Sequence, residues 1–299
     1  MRFHPDVAAA RRGGRPVVAL ETSVLAQGLP SPANRESVAR VRSAILARGA
    51  VPALTAVVRG TPTIGLGDED LERFLGPSRI PKVSARDLPW AIAHGTDGAT
   101  TVAASLTLCV RAGLEVFATG GIGGVHRDAP YDESADLIEL SRSPVVVVCA
   151  GAKAILDVRA TLERLETLGV SVVGYRTAEF PAFFSARSGL PVPAVAESPA
   201  EIADVYRAMR ALGRPAALLV VRPPPRESAL EPALVEEAVA AALLVAREEG
   251  VRGGAVTPYL LEAVDRATAG RSRVANLALL EANAALAAEI ACALAGRGG

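Results

Sequence analysis

The chain has 299 residues and is short of several residue types that particular functions need. Aromatic residues make up 4% of it, too few for the stacking platforms that bind single-stranded nucleic acid. The formal net charge is +0, so no excess of positive charge draws the chain toward nucleic acid or an anionic membrane. The longest apolar stretch, residues 274–294, contains Glu281 and Glu289, which favours a buried helix over a membrane span. We therefore expect neither a nucleic-acid partner nor membrane association.

Cysteine is also scarce. The three cysteines, Cys109, Cys149 and Cys292, are odd in number and lie far apart without any CxxC spacing. This pattern argues against a disulfide framework and against a zinc site. The first apolar stretch is interrupted by Glu21 after about five residues, too soon for a signal peptide. A cytoplasmic protein with reduced thiols is the resulting prediction.

Lysine is the rarest of the charged residues. Of the 32 basic residues only two are lysines, Lys82 and Lys153, and the other 30 are arginines. A lysine amine can lose its proton and act as a base or a Schiff-base nucleophile, whereas arginine stays protonated. The two lysines are therefore candidates for chemistry that arginine cannot perform. The alternative is chance survival in a composition-biased chain, which is less attractive for Lys153 because it follows a buried type of strand.

Apolar strands alternate with helical segments along most of the chain. This alternation predicts one α/β domain over residues 1–299, with three α/β/α layers and a mixed, largely parallel sheet. We expect residues 1–15 to be a loosely ordered lead-in or a short helix. Asn34 is expected to cap a helix, and the small residues from Gly98 onward are expected to open another.

The segment from Glu115 to Asp157 concentrates the polar residues that follow strands. An apolar strand, residues 116–118, leads into a glycine loop, residues 119–124, and a second strand ends just before Lys153. Ligands of open α/β sheets bind at the carboxyl ends of the strands. Glu21 follows the first apolar strand in the same way, although a solvated strand end or a helix cap would also explain it.

The glycine loop, TGGIGGVHR from Thr119 to Arg127, is neither a Rossmann fingerprint nor a Walker loop. Its backbone N–H groups could hold a phosphate beside Thr119 and His126, and a plain tight turn is the alternative. Further on, Asp132 and Asp136 are spaced i and i+4. A hard divalent cation that keeps most of its waters could bind one of them, whereas acids facing a helix N-terminus are the commoner explanation.

Together, Glu21, Lys153 and the loop suggest Schiff-base or acid–base chemistry on an aldehyde-bearing sugar phosphate. The motifs also resemble those of one family, the pseudouridine-5′-phosphate glycosidases, which include the indigoidine synthase A-like proteins. The resemblance runs from about residue 16 to about residue 290. It rests on VALETSVLAQGLPSPAN, KVSARDL, GATTVAA, FATGGIGGVHR, SADLIEL, VVCAGAKAILD, GYRTAEFPAFFSARSG and TPYLL, in that order.

The resemblance implies reversible cleavage of the C–C glycosidic bond of pseudouridine 5′-phosphate to uracil and ribose 5-phosphate. It implies that Lys153 is the nucleophile, forming an imine with C1′ of the opened ribose, and that Glu21 is the proton donor. It also implies a manganese ion held by Asp132 and a homotrimer of α/β/α subunits. The residues expected to contact the substrate are Lys82, Val102, Thr119, His126, Ser134, Ala135, Asp136 and Asn283.

The chain departs from the family pattern near its C-terminus. Gly253 and Gly254 stand where the family tends to have Gly-Lys, and Ala282 replaces the first residue of an Asn-Asn-Ala triplet. These changes bear on phosphate or ribose contacts and leave Glu21 and Lys153 in place. Two other functions stay open from the sequence: a Schiff-base enzyme for another C-glycosidic sugar phosphate, such as a pigment-pathway relative, and a non-catalytic phosphosugar-binding protein.

Overall fold

A central sheet carries the apolar strands, and helices cover both of its faces. The structure, a computed structural model, describes residues 1–76, 80–127, 131–251 and 256–296. Its strands are β1 (Arg2–Phe3), β2 (Val17–Leu20), β3 (Val51–Val58), β4 (Thr61–Ile64), β5 (Lys82–Val83), β6 (Gly98–Thr100), β7 (Val116–Ala118), β8 (Val125–His126), β9 (Val146–Cys149), β10 (Leu156–Asp157), β11 (Ser171–Tyr175), β12 (Val195–Ala196) and β13 (Leu218–Val221). Its α-helices are α1 (Pro5–Arg12), α2 (Ala33–Leu46), α3 (Asp68–Leu75), α4 (Leu88–Ala93), α5 (Val102–Ala112), α6 (Ala135–Arg142), α7 (Val158–Thr167), α8 (Pro199–Ala211), α9 (Pro232–Glu248), α10 (Val256–Ala267) and α11 (Arg271–Ala295).

The main sheet is mixed and largely parallel, as the sequence predicted. Its path runs β1-β4-β3-β2-β7-β9-β13-β11-β12, and β6 pairs with both β3 and β5. Strands β2, β7, β9 and β13 are buried along their whole length and pair in parallel, whereas β3 and β4 form an antiparallel hairpin. Fully buried parallel strands need apolar side chains on both faces, which explains why valine and leucine dominate their sequences.

Helix α11 is the central helix of one covering layer. It packs on β2, β7 and β9, with α2 and α8 beside it. Its length and apolar composition would suffice to cross a membrane, but 61% of its apolar window is buried inside the fold. This buried environment is the one predicted for residues 274–294. Away from α11, helix α6 packs between α5 and α7.

The first residues form part of the fold. Strand β1 pairs in parallel with β4, and α1 buries Val7 and Ala10 against the sheet. Of the two alternatives for residues 1–15, the structure has the short helix. The burial of two apolar side chains one turn apart on α1 accounts for its order.

Two local predictions were wrong. Asn34 lies inside α2, and Pro32 stands at the N-cap; the Asn34 amide instead donates to the carbonyls of Leu25 and Leu75, at 3.2 Å each. Gly98 opens strand β6, because its lack of a side chain lets the strand approach Val83 closely. Helix α5 begins only after Thr101, whose hydroxyl accepts from the N–H of Ala104 at 3.3 Å.

Strand register brings three polar segments to one edge of the sheet. Leu20 of β2 is opposite Ala118 of β7, and Ala118 is opposite Val148 of β9. The residues that follow, Glu21 and Thr119, therefore leave the sheet side by side. Lys153 leaves the same edge a few residues after β9.

Candidate active site

Glu21 is held at the end of β2 by two hydroxyl groups. Only 5% of its surface is exposed. The hydroxyl of Thr119 donates to its Oε1 at 2.5 Å, and the hydroxyl of Ser23 donates to its Oε2. Each carboxylate oxygen therefore has a fixed partner, and the group is oriented before any ligand arrives.

Lys153 is positioned by a backbone zipper between the glycine loop and the segment after β9. The N–H of Ile122 donates to the carbonyl of Gly151 at 3.0 Å, and the N–H of Lys153 donates to the carbonyl of Ile122 at 3.0 Å. Gly151 has a φ of 87°, and a Cβ there would collide with the carbonyl of Pro181. Glycine is required at that turn, which is why the CAGAK segment can bend back toward the loop.

Glu21, Lys82, Thr119 and Lys153 line one pocket. Its empty volume is about 500 Å³, part of it open to solvent. Gly120 and Gly121 form one wall, where a Cβ at Gly121 would lie 2.6 Å from the Phe183 ring. The structure thus brings the predicted proton donor, the predicted nucleophile and the second lysine together. The remaining lining residues are Ser23, Val24, Gln27, Gly28, Phe183, Leu261 and Asn276.

The two lysines influence each other across this pocket. Lys82 is accessible from solvent, yet burial of its amine against the pocket lowers the pKa of that amine, and the charge of Lys153 lowers it further. Asp136 and Glu21 oppose this shift through their negative charges. Overall exposure of Lys82 is compatible with burial around its amine, because the exposed fraction of a long side chain differs from atom to atom.

Asp136 joins the glycine loop to α5. Its Oδ1 accepts from the N–H of Ala103 at 2.9 Å, and its Oδ2 accepts from the N–H of Gly123 at 2.8 Å. Ser134 caps α6 by accepting from the N–H of Asp136 at 3.2 Å. Val102, the first residue of α5, is buried next to this joint. The Ser-Ala-Asp triplet and Val102 therefore meet at the far side of the loop, outside the set of residues that line the pocket.

Gly123 shows why the loop is rich in glycine. A Cβ at this position would collide with the side chain of Ser134 and lie 2.9 Å from Oδ2 of Asp136. A larger residue would break the Asp136 contact that fixes the loop.

Asn283 holds the same loop from the helical layer. It is 1% exposed in α11, and its amide nitrogen donates to the carbonyls of Thr119 at 2.8 Å and Gly120 at 3.3 Å. This places the loop backbone over α11. A direct substrate contact by Asn283 stays a prediction.

His126 and Asp132 lie on two antiparallel segments that follow the loop, residues 125–127 and 131–133, here called the hairpin. The N–H of His126 donates to the carbonyl of Asp132 at 2.9 Å, and the Asp132 side chain is exposed. Neither lines the pocket of Glu21 and Lys153. Arg127, beside them, has both terminal nitrogens of its guanidinium bonded to Glu236, at 2.5 and 3.0 Å.

Within the described ranges, no three His, Cys, Asp or Glu side chains lie close enough to form a metal site. A lone exposed carboxylate such as Asp132 fits a divalent ion that keeps most of its waters. The altered positions Gly253 and Gly254 lie outside the described residues. Cys149 ends β9 but has no chemical role here, because burial raises the pKa of its thiol to about 12.

Sequence reasoning did not assign Ser23, Phe183, Gln27 or Asn276 to the site, among other lining residues. Ser23 stands in the same motif as Glu21, and Phe183 belongs to a cluster of three phenylalanines whose sequence fits a pocket wall or lid, or a small core. Phe183 is both: it is 2% exposed and it lines the pocket. Gln27 and Asn276 carried no signal of spacing, because their relation to Glu21 comes only from the fold.

Comparison with known proteins identifies the family. The sequence profile described as "Indigoidine synthase A like protein" matches residues 6–293. The chain is 62% identical to a pseudouridine-5′-phosphate glycosidase of Gemmatimonas aurantiaca, over 98% of this chain and 96% of the relative. It is 50% identical to the protein of that name from Herpetosiphon aurantiacus, over 97% and 96%.

Two solved structures share the fold. The prealnumycin C-glycosynthase AlnA, in complex with ribulose 5-phosphate, superposes with a TM-score of 0.91 at 39% identity, covering 99% of this chain and 97% of AlnA. An indigoidine synthase A-like protein from Thermotoga maritima gives a TM-score of 0.89 at 40% identity, covering 94% of each chain.

Proposed function

This chain belongs to the indigoidine synthase A-like family, and on that premise we propose that it is an enzyme that reversibly cleaves the C–C glycosidic bond of pseudouridine 5′-phosphate. The products are uracil and ribose 5-phosphate. One observation supports this most directly: Glu21 and Lys153, which follow different strands, line the same pocket. The relative that is 62% identical to this chain is named for this activity, and the match covers 96% of that relative.

A C–C glycoside needs a different route from an ordinary glycoside. It has no leaving-group oxygen for a carboxylic acid to protonate, so the usual pair of carboxylates is not enough. An amine on C1′ solves the problem, because its lone pair can drive the base out as a C=N bond forms. Lysine is the residue for this step, and the chain has only two.

We assign the attack to Lys153. Its neutral amine bonds to C1′ as the C1′–O4′ bond breaks, and the nitrogen passes a proton to O4′, which opens the ribose ring. Glu21 then donates a proton to C5 of the base as the nitrogen lone pair forms the C1′=N bond and the electrons of the C1′–C5 bond stay with uracil. The nitrogen returns a proton to Glu21, which leaves a neutral imine. Water hydrolyses the imine, which releases ribose 5-phosphate and restores the lysine amine.

The contacts to Glu21 orient it for proton transfer. The hydroxyls of Ser23 and Thr119 fix both of its oxygens, so the carboxyl group keeps one orientation through the cycle. Preorganisation of this kind avoids rearrangement during the reaction.

We assign binding of the substrate phosphate to Lys82 and the glycine loop. Gly121 exposes backbone in the pocket wall, and Lys82 contributes a positive charge on the same pocket. Backbone N–H groups and a lysine form a usual phosphate environment. Arg127 is committed to Glu236 and is not part of this assignment.

The proposal also includes a manganese ion held by Asp132, a homotrimeric assembly and a cytoplasmic role in pseudouridine catabolism. Asp132 offers one exposed carboxylate, which fits a water-rich divalent ion, and such an ion would supply positive charge there. Activity should fall in strong chelator and return with Mn²⁺, while full activity in chelator would remove the metal from the proposal. Light scattering of the purified protein measures the assembly.

Intact-protein mass spectrometry tests the chemistry directly. Treatment with ribose 5-phosphate and borohydride should add one reduced sugar phosphate, mapped to Lys153. An adduct on Lys82 would reverse the assignment of the two lysines. Release of uracil without any adduct would keep the reaction and overturn the imine mechanism.

The match to AlnA favours one second candidate, a Schiff-base enzyme for another C-glycosidic sugar phosphate. The two are separated by supplying pseudouridine 5′-phosphate. Adduct formation without uracil release would favour the second candidate. Neither an adduct nor uracil release would leave a non-catalytic phosphosugar-binding protein.

A further inference from the structure

Two side-chain amides on the pocket have oxygens without partners. Among the residues that the structure describes, Gln27 Oε1 and Asn276 Oδ1 are the buried side-chain polar atoms that lack a hydrogen-bond partner. Both residues line the pocket of Glu21 and Lys153. Buried polar atoms in proteins are nearly always paired, so two exceptions in one pocket indicate a ligand that supplies the missing donors.

The rest of the structure fixes where these oxygens lie. The Gln27 amide nitrogen donates to the carbonyl of Ile80 at 2.6 Å, which leaves the oxygen as the end without a partner. Asn276 is 7% exposed, and its Oδ1 would lie 3.4 Å from a Cβ at Gly120. The fold therefore orients the Gln27 amide without satisfying its acceptor, and it buries the acceptor of Asn276 without a partner.

Amides are rare in this chain. It contains one glutamine, Gln27, and three asparagines, Asn34, Asn276 and Asn283. The amide nitrogens of Asn34 and Asn283 donate hydrogen bonds to backbone carbonyls. The two amides with unpaired oxygens are those that line the pocket.

The two oxygens belong to the Glu21 side of the pocket. Gln27 lies on the π-helical segment Val24–Gly28, which directly follows Glu21 and Ser23. Asn276 contacts Gly120, next to Thr119, which donates to Glu21. In the proposed reaction Glu21 protonates the base, so this side of the pocket faces the base.

Acceptor oxygens select a ligand that donates. A phosphate or a carboxylate would be repelled, because these groups have only acceptors at neutral pH. A uracil linked through C5 has two ring N–H groups, at N1 and N3, whereas a pyrimidine linked through N1 keeps only one. The number of unpaired acceptors matches the C-linked base.

We propose that Gln27 Oε1 and Asn276 Oδ1 accept hydrogen bonds from the two ring N–H groups of the base, so that this pair distinguishes a C5-linked from an N1-linked nucleotide. The assignment rests on the proposed function for the identity of the base. The amides act as specificity residues, and the bond-breaking chemistry stays with Lys153 and Glu21.

The test is a titration calorimetry series on the full chain that needs no turnover. Uracil, 1-methyluracil, 3-methyluracil and 1,3-dimethyluracil are titrated into wild type, Gln27→Met and Asn276→Leu. Each methyl group should weaken binding to wild type by about tenfold or more, the size of one lost hydrogen bond. Each variant should bind uracil about tenfold more weakly and should lose its discrimination against one of the two monomethylated bases.

Thermal melting of the same proteins separates a ligand site from a structural role. Asn276→Leu removes an unpaired acceptor and should leave the melting temperature unchanged or raise it. Gln27→Met also removes the donor to the Ile80 carbonyl, so it should melt lower, as the control does. Asn34→Leu is the matched control, since its amide is paired and lies outside the pocket, and it should melt lower. If a variant does not fold, the wild-type methylation series decides alone.

Three outcomes are distinct. Equal binding of all four bases by wild type would overturn the assignment, as would variants that weaken ribose 5-phosphate binding while the uracil series is unchanged. Uracil release from pseudouridine 5′-phosphate, measured on the same preparations, tests the proposed function separately. A graded series without turnover would support the base site and contradict the cleavage reaction.

Discussion

Two regions near the glycine loop differ in how their side chains are held. One is the floor of the pocket, where Glu21 and Thr119 follow β2 and β7, and the other is the hairpin that carries Asp132. On the floor, Glu21 is almost fully buried and both of its oxygens have hydroxyl donors. On the hairpin, the Asp132 side chain is exposed and only its backbone is tied down. Parallel strand pairing positions the first group before substrate arrives, whereas the second depends on what binds to it.

The contrast extends to the two lysines. The backbone of Lys153 is fixed by hydrogen bonds between the glycine loop and the segment after β9. Lys82 comes from the short strand β5 and reaches the pocket through its long side chain. A covalent role needs the first kind of placement, since reacting atoms must be held at near-attack distance, and a charge-supplying role tolerates the second.

The largest expected effect comes from exchanging each lysine for arginine. Lys153→Arg keeps the charge but cannot form an imine, so uracil release should fall at least about a thousandfold, as for Lys153→Ala. Lys82→Arg keeps what Lys82 is assigned to supply, so it should retain activity within about tenfold. Steady-state uracil release measures both, and circular dichroism checks the fold.

The reverse order would break the comparison. Residual turnover of Lys153→Ala above about a thousandth of wild type would contradict its covalent role. A dead Lys82→Arg beside an active Lys153→Arg would exchange the two assignments.

Next in size is the proton donor on the floor. Glu21→Gln removes the proton and should lower kcat by about a hundredfold or more, within the usual range for general acids. Thr119→Val removes only one of the two hydroxyl donors and should cost about tenfold, because Ser23 still holds the other oxygen.

A graded result in kcat would support orientation by the hydroxyls. Equal losses in Glu21→Gln and Thr119→Val would instead mean that Thr119 takes part in the proton transfer itself. No loss in either variant would remove Glu21 from the mechanism.

The sequence predicted the floor better than the hairpin for a physical reason. Glu21, Thr119 and Lys153 each follow an apolar strand, and the carboxyl ends of neighbouring parallel strands share one edge of the sheet. The carboxylate of Asp136 bonds two backbone N–H groups, and its predicted contact with the substrate stays a prediction.

Contacts that cross the sequence at long range had no local signal. Gln27 and Asn276 are 249 positions apart, and only the packing of α10 and α11 against the π-helical segment and the glycine loop brings them to one pocket. Gly98 was misassigned because small residues are tolerated in both helices and strands, and the deciding factor was its close approach to Val83.

A paired aspartate substitution compares the stability of the two regions. Asp136→Asn places an NH₂ group against one of two N–H donors and should lower the free energy of unfolding by about 1–3 kcal/mol. Asp132→Asn changes an exposed side chain and should stay within about 0.5 kcal/mol. Urea denaturation measures both, and a costly Asp132→Asn beside a neutral Asp136→Asn would contradict the contrast between floor and hairpin.

The smallest expected effect is a pH dependence that belongs to Lys82. Burial and the charge of Lys153 lower its pKa below the usual value near 10.5. As pH rises through this lowered pKa, the positive charge is lost and the KM for the phosphate substrate should increase several-fold, at a lower pH than an ordinary lysine would cause. The phosphate is already a dianion there, so its own titration does not contribute.

Lys82→Arg isolates this effect, because arginine keeps its charge and Lys153 is present in both proteins. The KM of the variant should stay flat over the range below about pH 10.5 in which that of wild type rises. The sign for stability follows from the same shift: between the lowered pKa and about 10.5 the unfolded chain holds the proton more tightly, so wild type gains stability as pH rises and the variant does not. Parallel KM curves for the two proteins would mean that the charge of Lys82 does not act on the substrate, and the phosphate would then be held by the glycine loop alone.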